Sequence, residues 1–473
     1  MRIDWPPDDS RFDALLCAGL AGVFFSLNID FRMSGDATTY ATFVLLGRFN
    51  ELSLHIGHYA VVYFFQNTAG RALSIPIHEM TAYLNVCFGA LTVAVCYLFA
   101  RRLLGTRLDG VLVAILMTIC GRVTSNATSS EIYMLQTLVV LTSMLLYVDG
   151  RPVLAGVAAG LGLLVSPLSA FAYLFFPAYE LTRATRPQWK SFARLLVGGS
   201  MVYLPYLLVL GHELLLGRRG LLVIRDAIPL DLSALLANVP KYQFKHYSTL
   251  LLLFVPALLR LRANSRLALL SAAVMIPHAY IVVKLTLEDN TFLLNTDFFF
   301  ACWLAVGARV LIDSSRWPWA IAPIVAHLGL LIFSGILFTG RSYREYASQM
   351  REIAQSYLVG RRAVVITDWS TGMTLTHYGR QAVVSIPESD PLFRQVFDLT
   401  NKNRTAQPML DGADILLLDP WSAGPLNRLL RSTESLERLA DANSILRLAE
   451  QQIGLRCNLL TRVPHPLYRC TKI

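Results

Sequence analysis

The amino-acid sequence predicts an α-helical, multi-pass membrane protein that ends in a small α/β domain. Hydrophobic residues make up 54% of its 473 residues and charged residues only 16%, whereas soluble domains carry roughly 25% charged residues. The basic residues stand in short clusters between apolar runs, as they do when they fix the orientation of a membrane protein. The net charge of +10 therefore indicates membrane orientation and argues against a nucleic-acid partner.

Long apolar runs give the number of membrane crossings. A helix needs roughly 20 apolar residues to cross the hydrocarbon core, and nine runs qualify or nearly qualify: 13–30, 80–100, 109–124, 132–148, 194–212, 247–261, 267–285, 297–313 and 317–338. The stretch 152–181 contains Ser166-Pro167, where proline would break a helix. Two crossings there keep the basic loop at 183–194 inside. We therefore expect about 11 transmembrane helices.

An odd number of crossings places the C-terminus outside when the N-terminus lies inside. The first 340 residues (1–340) then form the membrane domain, with large outer loops at 31–79 and 213–246. Within the first loop, "HYAVVYFF" (58–65) is too short to span and is typical of an interfacial helix. The bacterial inner membrane, with a cytoplasmic N-terminus and a periplasmic C-terminal domain, is favoured over the endoplasmic reticulum.

Residues 341–473 are more polar and predict the α/β domain on the outer side of the membrane. "AVVIT", "AVVSI" and "ADILLLDP" are typical of buried strands, and "CNLLTR" with "LYRCTK" predicts a hairpin. "YREYASQMREIAQSYL" and the run beginning "PLNRLL" are typical of helices. Cys457 and Cys470 would face each other across the hairpin in an oxidising compartment. They predict a disulfide, with two unrelated thiols as the alternative.

Two carboxylates are the candidate catalytic groups. Asp36 follows the first helix, close to Tyr40, and Glu131 precedes the fourth crossing, close to Tyr133. Both fall on the outer side, where a carboxylate within hydrogen-bond reach of an acceptor hydroxyl could act as a general base. The alternatives are a solvated loop carboxylate for Asp36 and, for Glu131, the start of a helix that Ser129 and the next serine cap.

Other polar residues of the outer loops are candidates for substrate binding. His55, His58 and Tyr59 belong to "HIGHY"; two histidines without a third ligand are a weak metal signal, so substrate binding or interfacial packing is favoured. Basic residues gather in the second loop, where they could hold a phosphate or attach to lipid head groups. The basic residues are Arg218, Arg219, Arg225, Lys241 and Lys245. The short loop "LEDNTF" adds one acidic candidate, Asp289.

The order of these features resembles the GT-C superfamily of multi-pass glycosyltransferases. The likeness runs through the first-loop aspartate, "LNVCFGALTVAVCYLFARRLLG", the Glu-Ile-Tyr at 131–133, "GVAAGLGLLVSP" and "TLEDNTFLLNTDFFFACWLAVGARVL". It is most similar to the protein O-mannosyltransferase-like branch, whose first-loop signature is Asp-Ser-Gly-Glu. Here that loop is "SGDATTY", so only Asp36 carries over, and "HIGHY" keeps His55 and Tyr59 of a His-Pro-Pro-Gly-Tyr motif.

The resemblance implies an inverting enzyme that moves a sugar from a polyprenyl-phosphate donor to an acceptor hydroxyl on a glycan, lipid or protein outside the membrane. Asp36 would be the base, and Glu131 would orient the acceptor or, with Asp36, hold a divalent cation such as Mg²⁺ or Mn²⁺. The alternatives are a flippase for a lipid-linked saccharide and a non-catalytic subunit of the same fold. The sequence shows no internal repeat, which argues against the transporter.

Overall fold

The computed structural model shows a bundle of apolar helices followed by a short mixed sheet. It describes residues 10–29, 44, 55–183, 187–216, 232–285, 293–333, 348–361, 363–366, 375, 378, 414–418, 455–461 and 467–472. The helices are α1 Ser10–Leu27, α2 Ile56–Phe65, α3 Ile77–Leu104, α4 Arg107–Ile119, α5 Gly121–Thr128, α6 Tyr133–Val148, α7 Pro152–Val165, α8 Ser169–Ala172, α9 Phe175–Leu181, α10 Trp189–Leu216, α11 Leu232–Tyr247, α12 Phe254–Leu258, α13 Ser265–Leu285, α14 Leu294–Asp313 and α15 Trp317–Phe333.

Four helices in the described part of the chain are long and apolar enough to cross a membrane. They are α1, α3, α14 and the Trp189–Leu208 portion of α10; α4 and α5 would make a fifth as one span bent by 63°. Large apolar side chains such as Leu208 and Phe333 are exposed on these and neighbouring helices, as expected where lipid replaces water as the solvent. The molecule is therefore a helical integral membrane protein.

The predicted helix break at Ser166-Pro167 is confirmed. Helix α7 ends at Val165, and α8 and α9 follow after the break. The Ser169 hydroxyl donates to the Gly162 carbonyl at 3.0 Å, and the Tyr173 hydroxyl donates to the Ala159 carbonyl at 2.8 Å. These bonds fold the second half of the stretch back against the first half.

Two sequence predictions need correction. The run 109–124 is not one straight helix, because the chain bends at Cys120 between α4 and α5. The second outer loop is helical over Leu232–Tyr247, and the span predicted to begin at 247 instead continues as a 3-10 helix, Ser248–Leu253, before α12. Both changes place a helix discontinuity inside a predicted apolar span.

Glycines allow two pairs of segments to pack backbone against backbone. A Cβ at Gly156 would overlap the Leu195 carbonyl, and one at Gly198 would overlap the Val153 carbonyl, so α7 and α10 meet along a glycine seam. A Cβ at Gly307 of α14 would likewise overlap the carbonyl of Leu253 in the 3-10 helix. Small residues are how membrane helices achieve such close approach.

The second compact unit contains the described residues beyond 341. Its sheet has the order β1-β2-β4-β3, with β1 (Ala363–Ile366) parallel to β2 (Asp414–Leu418) and the hairpin of β3 (Leu455–Thr461) and β4 (Leu467–Lys472) antiparallel. Segment 348–358 is helical and contributes Met350, Ile353 and Leu358 to the core cluster that also contains β1 and β2 side chains. Cys457 and Cys470 stand opposite each other in the hairpin and are joined by a disulfide. "AVVSI" and the run beginning "PLNRLL" lie outside the described residues.

Candidate functional site

A histidine of α15 connects two helix discontinuities. His327 Nε2 lies 3.0 Å from the carbonyl of Ile119, the last residue of α4, and its Nδ1 lies 2.6 Å from Ser248 Oγ. Since a carbonyl can only accept, Nε2–H donates to Ile119 and the Ser248 hydroxyl donates to Nδ1. Ser248 has a φ of 38°, which costs a non-glycine residue roughly 1–2 kcal/mol. We call His327, Ser248 and Ile119 the break clamp.

A buried ion pair lies next to the break clamp. Arg122, in the first turn of α5, pairs through Nη1 with Asp297 Oδ1 in the first turn of α14. Tyr247, the last residue of α11, donates its hydroxyl to the same Asp297 oxygen at 2.9 Å. Arg122 is 1% exposed and Asp297 is 0% exposed. The ends of three helices are therefore held together by one charged cluster.

The other edge of the Arg122 guanidinium makes this cluster a candidate binding site. Its Nε and Nη2 atoms are buried and have no hydrogen-bond partner among the described residues. That edge presents two parallel N–H groups, the geometry that binds a carboxylate or phosphate in bidentate fashion. Because a buried unpartnered donor costs free energy, the edge is a candidate place for a polar or anionic group; Asp297 Oδ2 is likewise buried without a partner among the described residues.

Asn85 of α3 fixes the turn that carries Glu131. Its Nδ2 donates to the carbonyl of Ser129 at 2.7 Å and to the carbonyl of Glu131, and the Asn85 side chain is fully buried. Glu131 itself is partly exposed. Helix α6 begins after it, at Tyr133, and has no side-chain cap. The interpretation of Ser129 as a cap for a helix starting at Glu131 is therefore wrong.

The "HIGHY" residues lie on α2, which packs against the end of α7. His55 Nδ1 lies 2.9 Å from the carbonyl of Val165, directly before the break after α7. A Cβ at Gly57 would lie 3.1 Å from the Leu164 backbone, so the two segments are in close contact. His58 is 2% exposed and Tyr59 is 1% exposed. The helix predicted at 58–65 is present, and its His58 faces protein.

Burial holds both histidines in the neutral form. Loss of solvation, together with a smaller contribution from the neighbouring His55, lowers the pKa of His58 to about 3. The pKa of His55 falls to about 4, chiefly through burial, although its hydrogen bond to the Val165 carbonyl acts in the opposite direction. The unfolded chain therefore binds a proton at these positions more tightly than the folded chain does.

The low pKa of His58 predicts a loss of stability in acid. Its contribution is complete above the unfolded pKa of roughly 6.5 and falls as the pH drops toward the folded value of about 3. Between pH 7 and pH 5 this amounts to about 2 kcal/mol. We expect the melting temperature in detergent to fall across this range, and to fall less in His58→Gln. Equal falls in both proteins would contradict the assignment.

The structure describes some of the other predicted site residues. Lys241 and Lys245 are exposed on α11, one turn apart, and the next residue, His246, is buried against Gly121 of α5. Tyr133 is buried at the start of α6. The remaining candidates lie outside the described residues: Asp36, Tyr40, Arg218, Arg219, Arg225 and Asp289. The described candidates are thus the cluster of Arg122, Asp297 and Tyr247 and, as a second element, the turn that carries Glu131.

Sequence reasoning missed Arg122, although a signal was present. The residue falls inside the predicted span 109–124, and an arginine at membrane depth marks a functional site by default. Asp297 was the boundary residue of another predicted span. Their pairing joins positions 175 residues apart in the sequence, so no local pattern reveals it.

Apolar helices around a buried polar cluster define a helical membrane protein, and its fold is similar to the folds of ArnT and an archaeal oligosaccharyltransferase. ArnT from Cupriavidus metallidurans bound to undecaprenyl phosphate matches with a TM-score of 0.60 and 12% identity, over 96% of this chain and 97% of that one. The apo state of ArnT matches with a TM-score of 0.63 and 12% identity, over 97% of each chain.

A second solved protein has the same fold over a smaller share of its length. The apo oligosaccharyltransferase of Archaeoglobus fulgidus matches with a TM-score of 0.55 and 12% identity, over 88% of this chain and 70% of that one. No protein-family model and no curated protein matches the chain. The resemblance to the GT-C superfamily is confirmed for the fold, whereas the O-mannosyltransferase-like branch stays a prediction.

Proposed function

We propose that the protein is an inverting glycosyltransferase that moves a sugar from a polyprenyl-phosphate donor to an acceptor hydroxyl on the outer face of the membrane. The likeness to ArnT bound to undecaprenyl phosphate over nearly the whole of both chains carries this proposal. The unpartnered edge of Arg122 supports it, because a phosphate is among the groups that this edge fits.

The reaction is a single displacement. Asp36 removes the proton of the acceptor hydroxyl while that oxygen bonds to the anomeric carbon. The bond from this carbon to the phosphate oxygen breaks, and the carrier leaves as the phosphate. Arg122 stabilises the negative charge that grows on the leaving group, and Glu131 orients the acceptor hydroxyl. Attack opposite the leaving group inverts the configuration at the anomeric carbon.

A divalent cation at Asp36 and Glu131 remains a prediction of the resemblance. Among the described residues, no three His, Cys, Asp or Glu side chains lie together as a metal-binding group. The basic residues of the second outer loop, including Lys241 and Lys245, supply further positive charge for the phosphate.

The proposed topology has eleven crossings, with the C-terminal α/β domain (341–473) in the periplasm of a bacterium. The folded-back stretch 152–181 supports the two extra crossings. The disulfide between Cys457 and Cys470 supports an oxidising compartment for the domain. In this position the domain could bind the acceptor, which we propose to be a glycan, lipid or protein.

The test is sugar transfer by the purified protein in detergent with a panel of polyprenyl-phosphate sugars. Removal of a general base lowers rates by roughly 10²–10⁴-fold, so we expect wild type to release polyprenyl phosphate and Asp36→Asn to release almost none. The control is Asp313→Asn, since Asp313 is exposed at the other end of α14. Equal release by Asp36→Asn and wild type would overturn the role of Asp36.

A flippase for a lipid-linked saccharide is the second candidate, and the helix discontinuities at the site favour it. Discontinuous helices also form the substrate sites of many transporters. The same preparation in vesicles distinguishes the two functions: a flippase moves the intact donor across the bilayer, whereas the enzyme separates sugar from carrier. If donor binds but neither reaction occurs, a non-catalytic subunit of this fold is the remaining function.

Asn85 is predicted to be a positioning residue for Glu131. Asn85→Ala removes both bonds to the 129–131 turn, so we expect kcat to fall at least about tenfold, roughly 1.4 kcal/mol in the barrier, with little change in donor KM. Thr92→Ala is the matched control, because Thr92 lies on the same helix and, among the described residues, its side chain bonds only to the Phe88 carbonyl within that helix. Equal kcat values for the two variants would contradict the prediction.

A further inference from the structure

A groove runs along the outside of the bundle between α1 and α4. Both helices pack on α3, and the space between them encloses a cavity of about 390 Å³. Its walls are almost entirely apolar, and several wall residues, including Leu16, Leu20 and Ile115, are widely exposed. The groove therefore opens toward lipid.

One end of the groove is charged. Arg107 Nη2 lies 2.5 Å from Asp13 Oδ1, and the Tyr97 hydroxyl donates to Asp13 Oδ2 at 2.7 Å. Arg101 also interacts electrostatically with Asp13. Two guanidinium groups thus act on one carboxylate that is already bonded, and these three side chains together carry a net positive charge. The Arg107 side chain is 19% exposed, so it can be reached from outside.

The length of the groove corresponds to one leaflet. From Asp13 to Phe24 at its two ends, helix α1 rises about 16 Å at 1.5 Å per residue. This is about half of the roughly 30 Å hydrocarbon core. A chain in the groove with its polar head at Arg107 would therefore reach about the middle of the bilayer, as the acyl chain of a phospholipid does.

We propose that this groove binds an anionic phospholipid, with one acyl chain against α1 and α4 and its phosphate at Arg107 and Arg101. Basic pockets between membrane helices bind anionic head groups in this manner. The charged end belongs to the starts of α1 and α4, whereas the Arg122 site follows the end of α4. The proposed head-group position thus lies at the opposite end of α4 from Arg122, although the apolar walls of the groove reach Ile119 of the break clamp, and in the proposed topology this position faces the cytoplasmic leaflet.

The experiment uses the delipidated full chain in detergent. It measures lipid binding by native mass spectrometry and, separately, the melting temperature of the protein. Phosphatidylglycerol and phosphatidylcholine with identical acyl chains are compared. We expect phosphatidylglycerol to remain bound and to raise the melting temperature by about 3 °C or more, which is about 1 kcal/mol. We expect phosphatidylcholine to do neither. Equal effects of both lipids would overturn the proposal.

A groove-filling variant locates the binding. Leu20→Trp with Ile115→Trp fills the groove at two exposed positions, and Ile321→Trp with Val325→Trp places the same bulk on exposed positions of α15. We expect the groove variant to lose the effect of phosphatidylglycerol and the α15 variant to keep it. Retention of the effect in a folded groove variant would show that the lipid binds elsewhere, which contradicts the proposal.

Discussion

Asp297→Ala is expected to lower the free energy of unfolding by about 3–5 kcal/mol, the usual cost of leaving one member of a buried ion pair unpaired. Arg122 would keep its charge with both edges unpartnered among the described residues, and the Tyr247 hydroxyl would lose its acceptor. The melting temperature of the purified protein in detergent measures the loss. An unchanged melting temperature would show that another group compensates the Arg122 charge.

A double variant separates the stability of this cluster from its proposed role. Arg122→Met with Asp297→Leu removes both charges and fills the space with apolar atoms, which is often neutral for stability. We expect the melting temperature to return close to the wild-type value, while sugar transfer stays at least about 100-fold below wild type, since the guanidinium is absent. Recovery of both properties would limit the ion pair to a structural role.

Arg122→Lys tests the geometry of the free edge. Lysine keeps the positive charge beside Asp297 but replaces the planar fork with a single ammonium group. We expect a folded protein whose donor KM rises about tenfold or more, because the bidentate contact with phosphate is lost. An unchanged KM would mean that only charge matters at this position.

Gly307→Ala is expected to have the second large effect. A methyl group there overlaps the Leu253 carbonyl. Neither the backbone that carries the methyl group nor the backbone of Leu253 can move away easily, because the surrounding helices hold both in place. Overpacking usually costs about 1–3 kcal/mol, and more where the neighbours cannot move. We therefore expect a loss of about 3 kcal/mol or more, seen as a lower melting temperature and a smaller monodisperse peak in size-exclusion chromatography.

The matched control for this substitution is Gly329→Ala. Gly329 also lies inside an apolar helix, α15, but a Cβ there would meet nothing within 4 Å. Alanine is the better helix former, so we expect an unchanged or slightly higher melting temperature. If the melting temperature fell equally in both variants, glycine replacement in general would be the cause, and the contact with Leu253 would not be.

The sequence predicted those features that depend on local patterns. Apolar runs indicated the helices, Pro167 indicated the break after α7, and the alternation near Cys457 and Cys470 indicated the hairpin. Each follows from chemistry that acts over a few residues. The likeness to the GT-C fold came from a resemblance to that superfamily in the order of such segments along the chain.

The candidate site was predictable only in part, because its contacts join distant segments. Glu131 could be found as a carboxylate near a helix start, but its support by Asn85 comes from another helix. The bend at Cys120 has no proline, and its stabilisation by His327 arises 208 residues away. The packing of α2 on α7 through His55 and Gly57 likewise depends on contacts that the short "HIGHY" pattern does not contain.

The glycine seam has a consequence for how the chain assembles during synthesis. Helix α10 meets the bundle chiefly along α7, and its outer face is largely exposed apolar surface. Helices in lipid gain little from apolar contact with one another, and close backbone packing supplies the attraction instead. Because α7 precedes α10 in the chain, its seam is already available when α10 leaves the ribosome. The two helices can therefore pair as a local unit before the C-terminal half of the membrane domain has been made.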